Sequence, residues 1–203
     1  MRTHKGQCRS LPLLYKILAN QIGAAAFITY APNHSFIRHR DEQDTHWMNL
    51  ELTNGTFPRE VFIIETMGIT QQAIDQGTYL KPCTDREVIV GLLTDLANTY
   101  LTKFGFIDPF VQKCLEMVFR HAPLNLGALI TANNCIYAIA CQHRAILQEK
   151  GIADDEFMQS LKEQLIDIND KIAQTGHIDM PKYLYDAWVQ SVQQEIQRRK
   201  QEK

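Results

Sequence analysis

Three residue types in the first quarter of the chain could together make a nucleophile. They are Cys8 in Gly6-Gln7-Cys8-Arg9-Ser10, His34 in Asn33-His34-Ser35-Phe36-Ile37, and Glu51 in Trp47-Met48-Asn49-Leu50-Glu51-Leu52-Thr53-Asn54-Gly55. A thiol attacks carbonyl carbon well only as thiolate. A helix N-terminus and a neighbouring imidazole favour that form, and a third group orients the imidazole. Cys8, His34 and Glu51 would supply these parts if the fold brings them together.

The elements needed to position them are legible locally. From Arg9 to Ile22 the apolar residues Leu11, Leu13, Leu14, Ile17, Leu18 and Ile22 follow a helical period, with Pro12 in the first turn and Gly23 as terminator. Cys8 then falls at the N-cap or first helical position, where free N–H groups and the positive dipole end stabilise an anion. Ala24 to Tyr30 reads as a strand closed by Pro32. Residues 35–40 and 45–52 alternate like strands around Asp41-Glu42-Gln43-Asp44. A symmetric turn pairing Arg40 with Thr45 sets His34 opposite Glu51, with Cβ atoms roughly 4.5–5.5 Å apart. Their face would also carry Phe36, Trp47 and Asn49. The other face, with Ile37, Met48, Leu50, Leu52, His39 and His46, would be core.

Residues 84–203 read as helical. Thr84-Asp85-Arg86-Glu87 is a capping box ahead of an apolar run to about Lys103, and Asp108-Pro109 opens a second helix ending before Pro123. Longer helices are expected near residues 126–150, 154–174 and 181–200, punctuated by Gly151, Gly176 and Pro181. The run Asp154-Asp155-Glu156 suits a first helical turn better than a metal site.

Composition excludes several classes of function. The 203 residues are 45% hydrophobic and 22% charged with a formal net charge of −2, an ordinary globular balance that argues against nucleic acid as the main partner. No run approaches the ~18 apolar residues of a membrane span, and the N-terminus carries no secretory leader. The five cysteines match no zinc spacing, and their odd number points to the cytoplasm, with export an alternative if a preceding segment carried a signal. Cys114, Cys135 and Cys141, in apolar helical runs, read as small buried hydrophobes. His4, His121, His143 and His177 show no partner pattern. No phosphate loop, calcium loop or other metal or cofactor motif is present.

Beyond this the chain resembles a family. Gly6-Gln7-Cys8-Arg9-Ser10 leading into a Leu-rich helix, His34 at a strand start, Trp47-x-Asn49-x-Glu51-x-Thr53-x-Gly55, Tyr79-Leu80-Lys81-Pro82 and Asp85-Arg86-Glu87 leading into Leu93-x-x-Leu96-Ala97-x-x-Tyr100 stand in the order seen in bacterial transglutaminase-like, papain-type cysteine proteins with C-terminal tetratricopeptide repeats. Leu96, Ala97 and Tyr100, with Val111, Leu115, Val118 and Pro123, are similar to that repeat's consensus positions.

The resemblance implies an α+β fold: a transglutaminase-like domain over residues 1–83 lacking its N-terminal part, then all-α tetratricopeptide-like repeats over 84–203. It implies Cys8 as nucleophile, His34 as base and Glu51, where aspartate is commoner, as orienting acid. Asn49 is a reserve for the acid. Gln7 and Trp47 would border the substrate. The expected activity is cysteine-dependent amide hydrolysis or acyl transfer without a cofactor. The helical part would recruit a peptide or protein partner. A non-catalytic peptide-binding module on the same scaffold is the alternative.

Overall fold

The computed structural model describes residues 6–40, 46–105 and 107–201. Among these the fold is α+β, with eight helices and one three-stranded antiparallel sheet. The chain divides into two compact units: Met1–Cys83 with Ile178–Lys203, and Thr84–His177. The last helix therefore groups with the first unit and not with the helices preceding it.

In the first unit, α1 (Ser10–Gln21) precedes β1 (Ala26–Ala31), β2 (His34–Arg40) and β3 (Trp47–Leu50), which pair in sequence order. Gly23, with φ of 73°, ends the α1 region: the Ala24 N–H reaches back to the Ala19 C=O at 2.9 Å, a reversal that favours a residue without Cβ. β1 and β2 join through the two-residue turn Pro32-Asn33. The side of the sheet carrying Ala26, Ile28, Tyr30, Ser35, Ile37 and His39 receives α1: Tyr15 Oη meets His39 Nε2 at 2.8 Å and the Arg9 guanidinium lies over the Tyr30 ring.

The helical period of α1 does not mark its buried side. Pro12 and Ala19 are buried, whereas Leu14, Ile17, Leu18 and Ile22 are exposed. The helix has an apolar stripe on each side, and periodicity alone does not say which one meets the sheet.

Two features of the sheet differ from the sequence expectation. Arg40 pairs with Trp47 and Ile37 with Leu50, a register two residues away from the symmetric one. The expected turn at 41–44, and Thr45, lie outside the described residues. A slip of two keeps every side chain on its original face, whereas a slip of one would have reversed them all. The second difference is that both faces are covered. Phe36, Arg38 and Asn49 are buried, while Met48, expected in the core, is half exposed.

The opposite face is met by the segment after β3, which also holds α2 (Glu60–Met67) and α3 (Gln71–Asp75), two short helices absent from the sequence reading. Arg38 donates to Glu60 Oε2 and to the Leu80 C=O, and Asn49 Nδ2 donates to the Pro58 C=O at 3.0 Å. The chain then closes the free edge of β1, with the Leu80 N–H on the Tyr30 C=O at 3.0 Å and the Cys83 N–H on the Ile28 C=O at 2.8 Å. The final helix of this unit is α8 (Lys182–Gln201).

The second unit holds α4 (Asp85–Phe104), α5 (Pro109–His121), α6 (Leu126–Glu149) and α7 (Glu156–Gln174). Its N-caps are Thr84, with the full capping box to Glu87, then Asp108, Asn125 and Asp155. The core gathers Val90, Ala97, Val111, Val118, Leu129 and Ile168. Ala97 is fully buried, but Leu96 is half exposed. Cys114 and Cys135 are buried as expected. Cys141 is exposed, a correction that follows from helical geometry: six residues beyond Cys135 it lies about 240° around α6. His143, for which the sequence shows no partner pattern, pairs with Asp155 at 2.8 Å.

No helix among the described residues is long and apolar enough to cross a membrane.

Candidate active site

Cys8 lies immediately ahead of α1. Arg9 is the N-cap residue, and the Leu11 N–H already donates to the Gln7 C=O at 3.0 Å, so helical hydrogen bonding begins around the thiol. First-turn N–H groups without intrahelical partners give this end positive character. Ser10 braces the entry by accepting from the Gln7 N–H at 3.0 Å.

His34 opens β2 directly after Asn33, whose left-handed φ of 56° turns the chain. Because β3 stops opposite Ile37, the first three residues of β2 have no β3 partner. Ser35 is one of them, and its donors go to Cys8. The Ser35 hydroxyl donates to the Cys8 C=O at 2.5 Å, and the Ser35 N–H favours the thiolate of Cys8. Buried Ser35 thus ties the helix entry to the strand. It escaped the sequence reading, although it directly follows His34.

Glu51 follows the last residue of β3. Continuing the observed register would put it diagonal to His34 rather than opposite, a separation of roughly 7–8 Å that a long side chain can cross. It does cross: Glu51 Oε2 bonds His34 Nε2, and both side chains are only 12% exposed. With Nε2 so engaged, Nδ1 is the ring nitrogen left to serve the Cys8 thiol. The extra methylene of glutamate therefore suits this register.

The three groups reinforce one another's charge. The hydrogen bond from His34 lowers the Cys8 pKa, against desolvation by burial, and the His34 charge, the Ser35 N–H and the Arg9 charge add to it. Burial disfavours the imidazolium of His34, but its hydrogen bonds to Cys8 and Glu51 and their negative charges prevail and raise it to about 9. Burial also opposes ionisation of Glu51, yet the bonds from His34 and Thr53 hold its pKa below the ordinary value. The arrangement is a thiolate–imidazolium–carboxylate chain, capable of nucleophilic attack followed by proton return.

The other sequence candidates lie elsewhere. Asn49, opposite Arg38 on β3, gives its Nδ2 to Pro58 and does not meet the ring. Gln7 is exposed, with its backbone committed to Ser10 and Leu11. Trp47, 38% exposed, packs edge-on against Phe27 and under the guanidinium groups of Arg38 and Arg40. Arg40 is six residues along β2 from His34, about 20 Å at strand rise, so Trp47 does not wall the thiol. His39, set aside as a base, bonds Tyr15 and the Ala25 C=O. Among the described residues no group of three or more His, Cys, Asp or Glu is arranged to hold a metal.

Compared with known proteins, the chain matches no family model, no curated protein and no solved structure.

Proposed function

We propose that the chain is a cysteine-dependent amide hydrolase or acyltransferase of transglutaminase-like, papain-type character, with residues 84–177 forming a tetratricopeptide-like surface for a protein or peptide partner. The observation that carries the reading is the continuous chain from the Cys8 thiol through His34 to Glu51 at a helix entry. Support for the helical part is the pairing of α4 with α5 and α6 with α7, with Ala97 buried at the close contact.

In this mechanism the Cys8 thiolate attacks a carboxamide or peptide carbonyl carbon, and the carbonyl π electrons move to oxygen. The Cys8 N–H at the helix entry helps stabilise that oxyanion. As the tetrahedral intermediate collapses, His34 delivers its proton to the departing amine, leaving a thioester. His34, now neutral, takes a proton from water or from an acceptor amine, which attacks the thioester and frees the thiolate. Water completes hydrolysis and an amine completes transfer. Glu51 balances the imidazolium whenever the ring is charged.

The test is the rate of Cys8 alkylation by iodoacetamide against pH, resolved by residue with mass spectrometry. Exposed Cys141 supplies a comparison within each sample. The wild type should label rapidly at pH ~6, and His34→Ala should slow that labelling at least tenfold, the effect of about one pKa unit. A wild-type profile rising only near the ordinary thiol pKa of ~8.5 would leave the scaffold as a binding module.

A further inference from the structure

The segment 51–56 is a closed turn built around Glu51. Main-chain hydrogen bonds close it: the Glu51 N–H donates to the Thr56 C=O at 2.8 Å, and the Gly55 and Thr56 N–H groups return to the Glu51 C=O at 2.7 and 3.2 Å. Asn54 Oδ1 locks the far side, accepting from the Thr56 N–H at 3.0 Å and hydroxyl at 2.6 Å. Against this frame the Glu51 carboxylate is held separately. Its Oε1 accepts from the Thr53 N–H at 2.8 Å and the Thr53 hydroxyl at 2.6 Å, while Oε2 alone meets His34.

A glutamate has one more torsion than an aspartate, so an unheld carboxylate would sample positions off the imidazole. Two donors converging on one oxygen leave the other aimed at the ring. The geometry points to Thr53 as a positioning residue of the proposed reaction, acting through Glu51 to hold His34 against Cys8. This inference rests on the catalytic reading above and extends it to a residue that touches none of the reacting atoms.

The variant Thr53→Val removes the hydroxyl donor and retains the N–H donor, the branched shape and every main-chain bond of the turn. Iodoacetamide labelling of Cys8 across pH 5–10 is the readout. Thr53→Val should label about tenfold more slowly than wild type near pH 6, corresponding to roughly one pKa unit, and converge with it near pH 10 where the thiol is ionised in both. Thr53→Ser, which restores the hydroxyl, should restore the low-pH rate. Thr53→Ala removes the same hydroxyl with less bulk and serves if valine is not accommodated. Superimposable profiles for wild type and both hydroxyl-deleted variants would overturn the inference while leaving the catalytic reading intact. So would a slowing equal at every pH, which a merely structural role predicts. Slow labelling of wild-type Cys8 at pH 6 would remove the catalytic reading and the Thr53 inference with it.

Discussion

An imidazole raised to about 9 beside a thiol held below its ordinary value favours the thiolate–imidazolium form of the pair. His34 is charged across the neutral range, the state in which the proposed mechanism has it give a proton to the leaving group. The same pairing links stability to pH. A group whose folded pKa lies above its unfolded value contributes stability that is whole below about 6.5 and disappears as pH rises through about 9. The lowered Cys8 thiol contributes in the opposite sense up to the ordinary thiol value of about 8.5, so thermal unfolding should show the wild-type midpoint falling between pH ~8.5 and 10 more steeply than that of His34→Ala. Parallel curves for the two proteins would contradict the linkage. Cys8, His34 and Glu51 could all be named from their types and spacing. The donors that hold them, Ser35 and Thr53, have no chemistry of their own and acquire importance only from where they point.

At the scale of elements, the helix starts were the most legible features because a cap is satisfied within four residues. Thr84 accepts from the Glu87 N–H while the Glu87 side chain returns to Thr84, and Asp108 accepts from the Phe110 and Val111 N–H groups ahead of α5. Thr84→Ala should cost about 1 kcal/mol in chemical denaturation, the usual value of an exposed N-cap. An unchanged denaturation midpoint would show that packing, not the cap, holds the start of α4. The short helices α2 and α3 escaped notice because eight and five residues are too few for a period to declare itself. Their signals were terminal: the left-handed Gly68 closing α2 and the Thr70 cap opening α3. The strand faces were read correctly although the register was not, because alternation has a period of two and the slip was also two.

For the molecule as a whole, the helices of residues 84–177 bury a core of their own. Leu129 is 1% exposed within the core of residues 84–177, and no part of the Cys8 site lies in that unit. Leu129→Ala should destabilise by about 2–5 kcal/mol through lost burial and the cavity left behind. The low-pH labelling of Cys8 should persist in this variant under folding conditions, because no residue of the site belongs to the unit whose core is cut. Loss of that labelling at a temperature where the variant remains folded would show that the helical unit shapes the thiol site.

The sequence by itself determined where the longer helices begin, which residues of each strand share a face, and which thiol stands at a helix entry, since each depends on neighbours a few positions away. Only the tertiary structure decided that β3 stops short of Ser35, that Glu51 reaches His34 on a diagonal, that both sheet faces are covered, and that α1 turns Pro12 and Ala19 inward. Those outcomes follow from how separate segments pack. Segments with more than one apolar side, or more than one permitted pairing, are settled only by the partners they meet.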